Sequence, residues 1–177
     1  MAMLRPSRIE VRDRVTDSIA SICIIVLLLA CAGLIWTDLR EGLLPDWMNA
    51  LVAASGLVRT VVLTDLPQAL WDIAAALAVG AALLLLRRLY LIARGRQGLG
   101  LGDVKFLMAA TLWAGLPGLP ILLLIATMTA LVAVLFLRMR GQSMTGETAL
   151  PFGPFLVIGL LSVLVLQTWG GDWIIAS

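Results

Sequence analysis

Long apolar stretches, separated by short polar or glycine- and proline-rich breaks, run through most of the chain. The first, residues 18–37, is an almost unbroken apolar run of about one bilayer's length. Five more stretches follow, at about residues 47–63, 69–86, 106–116, 121–137 and 156–169. The pattern predicts an all-α, polytopic integral membrane protein with about six transmembrane helices.

The polar segments between these stretches are short. Residues 1–17 carry mixed charges and are expected to form an extramembrane tail or a short interfacial helix. Pro117, Gly118 and Pro120 separate the short fourth stretch from the fifth. We find no internal repeat and no soluble domain, so the prediction is a single transmembrane domain over residues 1–177.

Composition agrees with a membrane protein and narrows the chemistry. The chain is 61% hydrophobic with only 14% charged residues, and its mean hydropathy is +1.03, outside the range of soluble domains. A net charge of +2 is too small to suggest a nucleic-acid partner. The sequence contains no histidine, which removes Ser-His and Cys-His catalysis and nearly all zinc chemistry. Proton transfer would fall to carboxylates, and no metal or other cofactor is expected.

Two aspartates are predicted to share one membrane face. Asp38 ends the first apolar stretch and Asp103 begins the fourth, so the chain crosses the membrane twice between them. The polar segments of that face hold eight Lys and Arg residues, against five on the other. Because basic residues concentrate on the inner side, the aspartates are expected to face the cytoplasm.

Glycines flank the second aspartate, at Gly100 and Gly102. Asp103 can be read as an ordinary cap of a helix beginning near Val104. Alternatively, the glycines keep the backbone slim so that an extended ligand can approach the carboxylate. Lys105, two residues further on, could pair with Asp103 or with lipid phosphate.

Three blocks of sequence carry a resemblance to a known family. Residues 38–49 are similar to a D-x-R…I-P-N-x-L block, residues 100–105 match a G-x-G-D signature with its V-K continuation, and residues 150–155 are similar to an I-P-F-G-P-F block. In this order they resemble the type IV prepilin peptidases, which are membrane aspartic proteases. The likeness covers roughly residues 35–159. The chain has Asp46 where the family often has Asn, and it lacks the C-x-x-C insertion of the long bifunctional members.

The resemblance implies a short, peptidase-only enzyme without N-methyltransferase activity. Asp38 and Asp103 would form the catalytic dyad, sharing one proton while they activate water against the scissile carbonyl. The substrate would be a prepilin or pilin-like precursor whose basic leader is cut at the cytoplasmic face of a prokaryotic inner membrane, in support of type IV or Flp pilus assembly or type II secretion. The residues expected to bind substrate or shape the site are Gly100, Gly102, Lys105, Pro151, Phe152, Gly153, Pro154, Asp46 and Glu147.

Other interpretations stay open at this point. Asp46 and Glu147 could bind the positive charge of the leader or could be solvated loop acids. A small transporter or ion-relay component would also use intramembrane acids, although here the acids cluster at span ends. A presenilin-like protease also uses G-x-G-D, but its Tyr-Asp and Pro-Ala-Leu motifs are absent.

Overall fold

The structure is a computed structural model that describes residues 8–95, 98–140 and 151–169, with side chains from residue 14 onward. This part of the chain is helical and contains no strand. Its helices are α1 (Arg8–Glu41), α2 (Asp46–Leu63), α3 (Leu66–Arg94), α4 (Leu101–Met139) and α5 (Gly153–Trp169). The predicted all-α class is confirmed.

Length and composition identify membrane-spanning candidates among these helices. Three of them, within α1, α3 and α4, are long and apolar enough to cross a bilayer, and α5 is a shorter apolar helix. Large apolar side chains such as Ile22, Ile92 and Leu131 point outward and are 60%, 74% and 60% exposed, as lipid-facing residues are. The chain is a multi-pass membrane protein, but the predicted count of six spans is not confirmed.

The predicted break between the fourth and fifth stretches appears as a kink inside α4. It lies at Gly115, with φ 70° and ψ 169°, and not at Pro117 or Pro120. The left-handed φ at Gly115 is one that other residues adopt only with strain. Helical geometry resumes directly after it. Pro117 fits there because a residue in the first turn of a helix needs no backbone N–H for a helical hydrogen bond.

Contacts with α5 show that the chain reverses at this kink. Before it, the Ala114 carbonyl accepts a hydrogen bond from the Gln167 side chain near the end of α5, at 2.8 Å. After it, Gly118 lies against Val163, and Leu122 lies against Gly159, closer to the start of α5. The second part of α4 therefore runs back along α5 toward the end of the bundle where α4 began.

Several helix ends differ from the prediction. α1 begins at Arg8, so the second half of the expected tail already belongs to this helix. α3 continues to Arg94, and α5 begins at Gly153, three residues before the predicted apolar stretch. The apolar stretch marks the part of a helix that lies in lipid, and good helix formers extend the helix beyond it. Hydropathy alone therefore underestimates these helices.

The buried core lies between α1, α4 and α5, with α2 packed on its side. Its largest fully buried side chains are Phe106, Leu27, Leu34, Leu122, Leu156 and Leu160. Trp113 joins α4 to α2, because its indole N–H donates to the Val52 carbonyl at 3.0 Å. This packing brings the end of α1 and the starts of α2, α4 and α5 to one end of the bundle.

Candidate active site

Asp38 lies in the last turn of α1 and is only 3% exposed. The backbone N–H of Gly153 donates a hydrogen bond to its Oδ2 at 2.8 Å. Gly42 ends the helix one turn later: its φ is +65°, and its N–H donates to the Asp38 carbonyl at 2.9 Å, as in a left-handed C-terminal cap. The local sequence thus places Asp38 at a helix end, where the start of α5 contacts it.

Asp103 lies in the first turn of α4. The helix begins at Leu101 with Gly100 as its N-cap residue, so the predicted start near Val104 is three residues too late and Asp103 is not the N-cap. Asp103 is the third helical residue, and its carboxylate reaches back to accept a hydrogen bond from the Gly100 backbone. An acidic side chain at the third position of a helix commonly accepts a hydrogen bond from the N-cap backbone N–H in this way. The carboxylate is also close enough to Asp38 for the two negative charges to repel each other.

The two glycines before Asp103 lie in close contact with neighbouring side chains. A Cβ at Gly102 would lie 2.9 Å from the Leu44 Cβ, and one at Gly100 would lie 3.0 Å from the Asp103 Oδ2. The φ of Gly100 is −65°, which any residue adopts. The structure therefore explains the glycines by close packing within the site.

Both carboxylates line one cavity of about 440 Å³, within the usual range of ligand sites. The segment after α1 forms one wall, and residues 98–102, which we call the glycine turn, form another. Of the predicted residues, the lining includes Asp38, Asp103, Gly100, Gly102, Pro151 and Phe152; the others in the lining are Leu39, Gly42, Leu43, Leu44 and Leu101. Gly153 touches the site through Asp38. An apolar cleft with two acids is suited to hold a segment of chain beside a pair of proton-transferring groups.

Three of the predicted residues lie elsewhere. Lys105 forms an ion pair with Asp46, with Nζ 2.6 Å from Oδ1 and side chains 43% and 74% exposed. Neither residue lines the cavity, and neither does Pro154. Glu147 lies outside the described residues. Lys105 thus pairs with the start of α2, and not with Asp103 as one prediction had it.

Two residues missed by sequence reasoning contact the glycine turn. Asn49 on α2 is buried and lies beside Gly102, and the Arg87 Nε on α3 donates to the Leu99 carbonyl at 3.0 Å. A polar residue inside an apolar stretch was the available signal for Asn49. Arg87 was counted only for its charge. No group of three metal-binding side chains occurs within the described ranges.

The fold and the site define a class: an all-α membrane protein that holds an aspartate pair at one end of its bundle. Comparison with known sequences gives the family, because a model of the type IV leader peptidase family matches residues 22–137. The chain belongs to that family.

Individual relatives agree with this assignment. The chain is 35% identical over 143 residues to a prepilin leader peptidase/N-methyltransferase of Legionella pneumophila, covering 78% of this chain and 46% of the relative. It is 37% identical over 136 residues to the protein of that name from Dickeya chrysanthemi, covering 76% and 47%. It is 38% identical over 137 residues to the leader peptidase HopD of Escherichia coli, covering 74% and 85%. The chain thus spans about half the length of the N-methyltransferase relatives. No solved structure gives a significant match.

Proposed function

We propose that this chain is a membrane aspartic endopeptidase that removes the basic leader from prepilin or pilin-like precursors. The observation that carries the proposal is the cavity lined by both Asp38 and Asp103, two acids supplied by different helices of a chain in the type IV leader peptidase family. The proposal covers peptide cleavage and does not extend to N-methylation.

The arrangement supports a general acid–base mechanism. Two carboxylates facing one cavity share a proton, because both cannot ionise cheaply at close range. The ionised one takes a proton from water as the water attacks the scissile carbonyl, and the protonated one donates to the carbonyl oxygen and later to the leaving amine. The Gly153 N–H fixes the orientation of the Asp38 carboxylate, and the Gly100 backbone does the same for Asp103.

The position of the site supports this choice of substrate. The acids lie at helix ends, where a junction between a polar leader and an apolar helix would sit once that helix is in the bilayer. Apolar walls from Leu39, Leu43 and Phe152 suit the apolar side of such a junction. We place the site on the cytoplasmic face of a prokaryotic inner membrane, where it would serve pilus assembly or type II secretion.

Cleavage by purified protein tests the activity. The chain in detergent is incubated with a prepilin bearing a basic leader, and wild type is compared with Asp38→Asn, Asp103→Asn and the control Asp65→Asn, an exposed aspartate just before α3. Each dyad variant should lose at least about a thousandfold in rate, and the control should retain activity. Cleavage by either dyad variant within tenfold of wild type would contradict the assignment, as would loss of wild-type cleavage on addition of EDTA.

Labelling in intact cells tests the orientation. Arg94 ends α3 next to the glycine turn and is exposed, whereas the native Cys23 and Cys31 are buried. A single Arg94→Cys variant should react with a thiol reagent only after the inner membrane is made permeable. Labelling by an impermeant reagent added from the periplasm would reverse the proposed orientation.

A further inference from the structure

Asn49 is a buried polar residue whose hydrogen bonding is incomplete. Its side chain is 3% exposed on α2. The amide Nδ2 lies 3.5 Å from the Gly102 carbonyl oxygen, at the long end for such a bond. Its Oδ1 is buried without a hydrogen-bond partner among the residues that the structure describes. A buried amide oxygen in this condition destabilises a fold, so its presence needs an explanation.

The position of the contact suggests that explanation. Gly102 directly precedes Asp103, and both belong to the first turn of α4. A carbonyl oxygen has two lone pairs, so the Gly102 oxygen can accept the side-chain amide in addition to its helical bond. Because peptide groups are rigid, a donor that holds the Gly102 carbonyl also restricts where the Asp103 Cα lies.

A Cβ contact shows how closely α2 approaches this turn. Gly102 has no room for a side chain against Leu44, just ahead of α2, so the turn is held by close packing there and by the Asn49 amide. Asn49 does not line the cavity that holds the two acids. Its effect on a substrate would therefore pass through Asp103.

We propose that Asn49 is a positioning residue, whose side-chain amide fixes the Gly102 peptide and thereby the Asp103 carboxylate for attack on substrate. The inference rests on the proposed peptidase function. It explains why a buried amide oxygen is left without a hydrogen bond at this position, because unfavourable local features of this kind concentrate at functional sites.

The chain offers a matched control at the other end of α2. The Thr60 hydroxyl donates to the Leu112 carbonyl at 3.4 Å, and Thr60 is also 3% exposed. Both contacts join a buried α2 side chain to an α4 carbonyl. Only Asn49 contacts the turn that carries Asp103.

The test compares Asn49→Leu with Thr60→Val in steady-state cleavage of a prepilin, together with thermal unfolding in the same detergent. Asn49→Leu removes the donor and the unpartnered acceptor together. We expect kcat to fall about tenfold or more at nearly unchanged KM, while the unfolding temperature stays equal or rises. Thr60→Val should keep kcat within about twofold of wild type. Should Asn49→Leu not fold, Asn49→Ala gives the same comparison without added bulk.

A second measurement separates this inference from the proposed function. Hydrogen–deuterium exchange should become faster in residues 101–106 of the Asn49 variant and remain unchanged there in the Thr60 variant. An inactive wild type with this exchange pattern would overturn the peptidase proposal but support the positioning contact. An Asn49 variant with wild-type kcat, or one whose kcat falls only together with its unfolding temperature, would overturn the positioning role.

Discussion

Replacement of Gly153 by alanine would test the geometry of the site most directly. The added Cβ would lie 2.7 Å from the Asp38 Oδ2 and 3.0 Å from its Cγ, whereas ordinary contacts begin at 3.4 Å. Either the Asp38 carboxylate or the start of α5 must therefore move by about 0.7 Å to reach that distance. Asp38 is buried, so it has little freedom to turn away.

The size of the effect follows from the contact that is disturbed. The Gly153 N–H now donates to Asp38 at 2.8 Å, and a hydrogen bond to a charged group contributes about 1.5–3 kcal/mol. If that energy is lost in the transition state, the cleavage rate falls about 10- to 150-fold. The folded state should change less, because alanine is a better helix former than glycine by up to about 1 kcal/mol.

A second glycine on α5 provides the comparison. A Cβ at Gly159 would lie 2.5 Å from the backbone oxygen of Leu122, and Gly159 is about 9 Å further along α5 than Gly153. Gly159→Ala should therefore lower the unfolding temperature while activity per folded molecule is kept. Gly153→Ala should instead slow prepilin cleavage while its unfolding temperature stays close to that of wild type. Cleavage by Gly153→Ala within about twofold of wild type would refute the reasoning.

Two further substitutions test contacts around the glycine turn. Arg87→Ala should slow prepilin cleavage about tenfold, because the hydrogen bond from Arg87 to the Leu99 carbonyl holds the glycine turn against α3. The exposed neighbour Arg88 should tolerate alanine. Equal cleavage rates for the two variants would contradict this role of Arg87. Asp46→Asn should lower the free energy of unfolding by less than about 1 kcal/mol, since the Lys105 pair is exposed, and a larger loss in chemical denaturation would show that the pair is structural.

The sequence was sufficient for the class of fold and for the central pair of the site. Apolar stretches of bilayer length predict helices because unpaired backbone groups are excluded from lipid. Because the chain was predicted to cross the membrane twice between Asp38 and Asp103, the two were expected at the same membrane face. In the structure both line one cavity. These predictions needed only chain order and hydropathy.

Contacts between distant segments could not be predicted in the same way. Gly153 was expected to shape the site, but its hydrogen bond to Asp38 joins residues 115 positions apart and depends on how α5 packs. Asn49 was noted only as the last residue of the first block, because one amide in an apolar stretch does not show which helix it contacts. The kink was expected at the prolines, yet a backbone with left-handed φ at Gly115 makes the reversal.

The bond between Gly153 and Asp38 has a consequence for biogenesis. α5 follows the other four helices in the chain, so during synthesis Asp38 and Asp103 enter the membrane before the N–H that orients Asp38 exists. The site is therefore incomplete until α5 has docked on α1, so the proposed peptidase would become competent only after this late helix is in place.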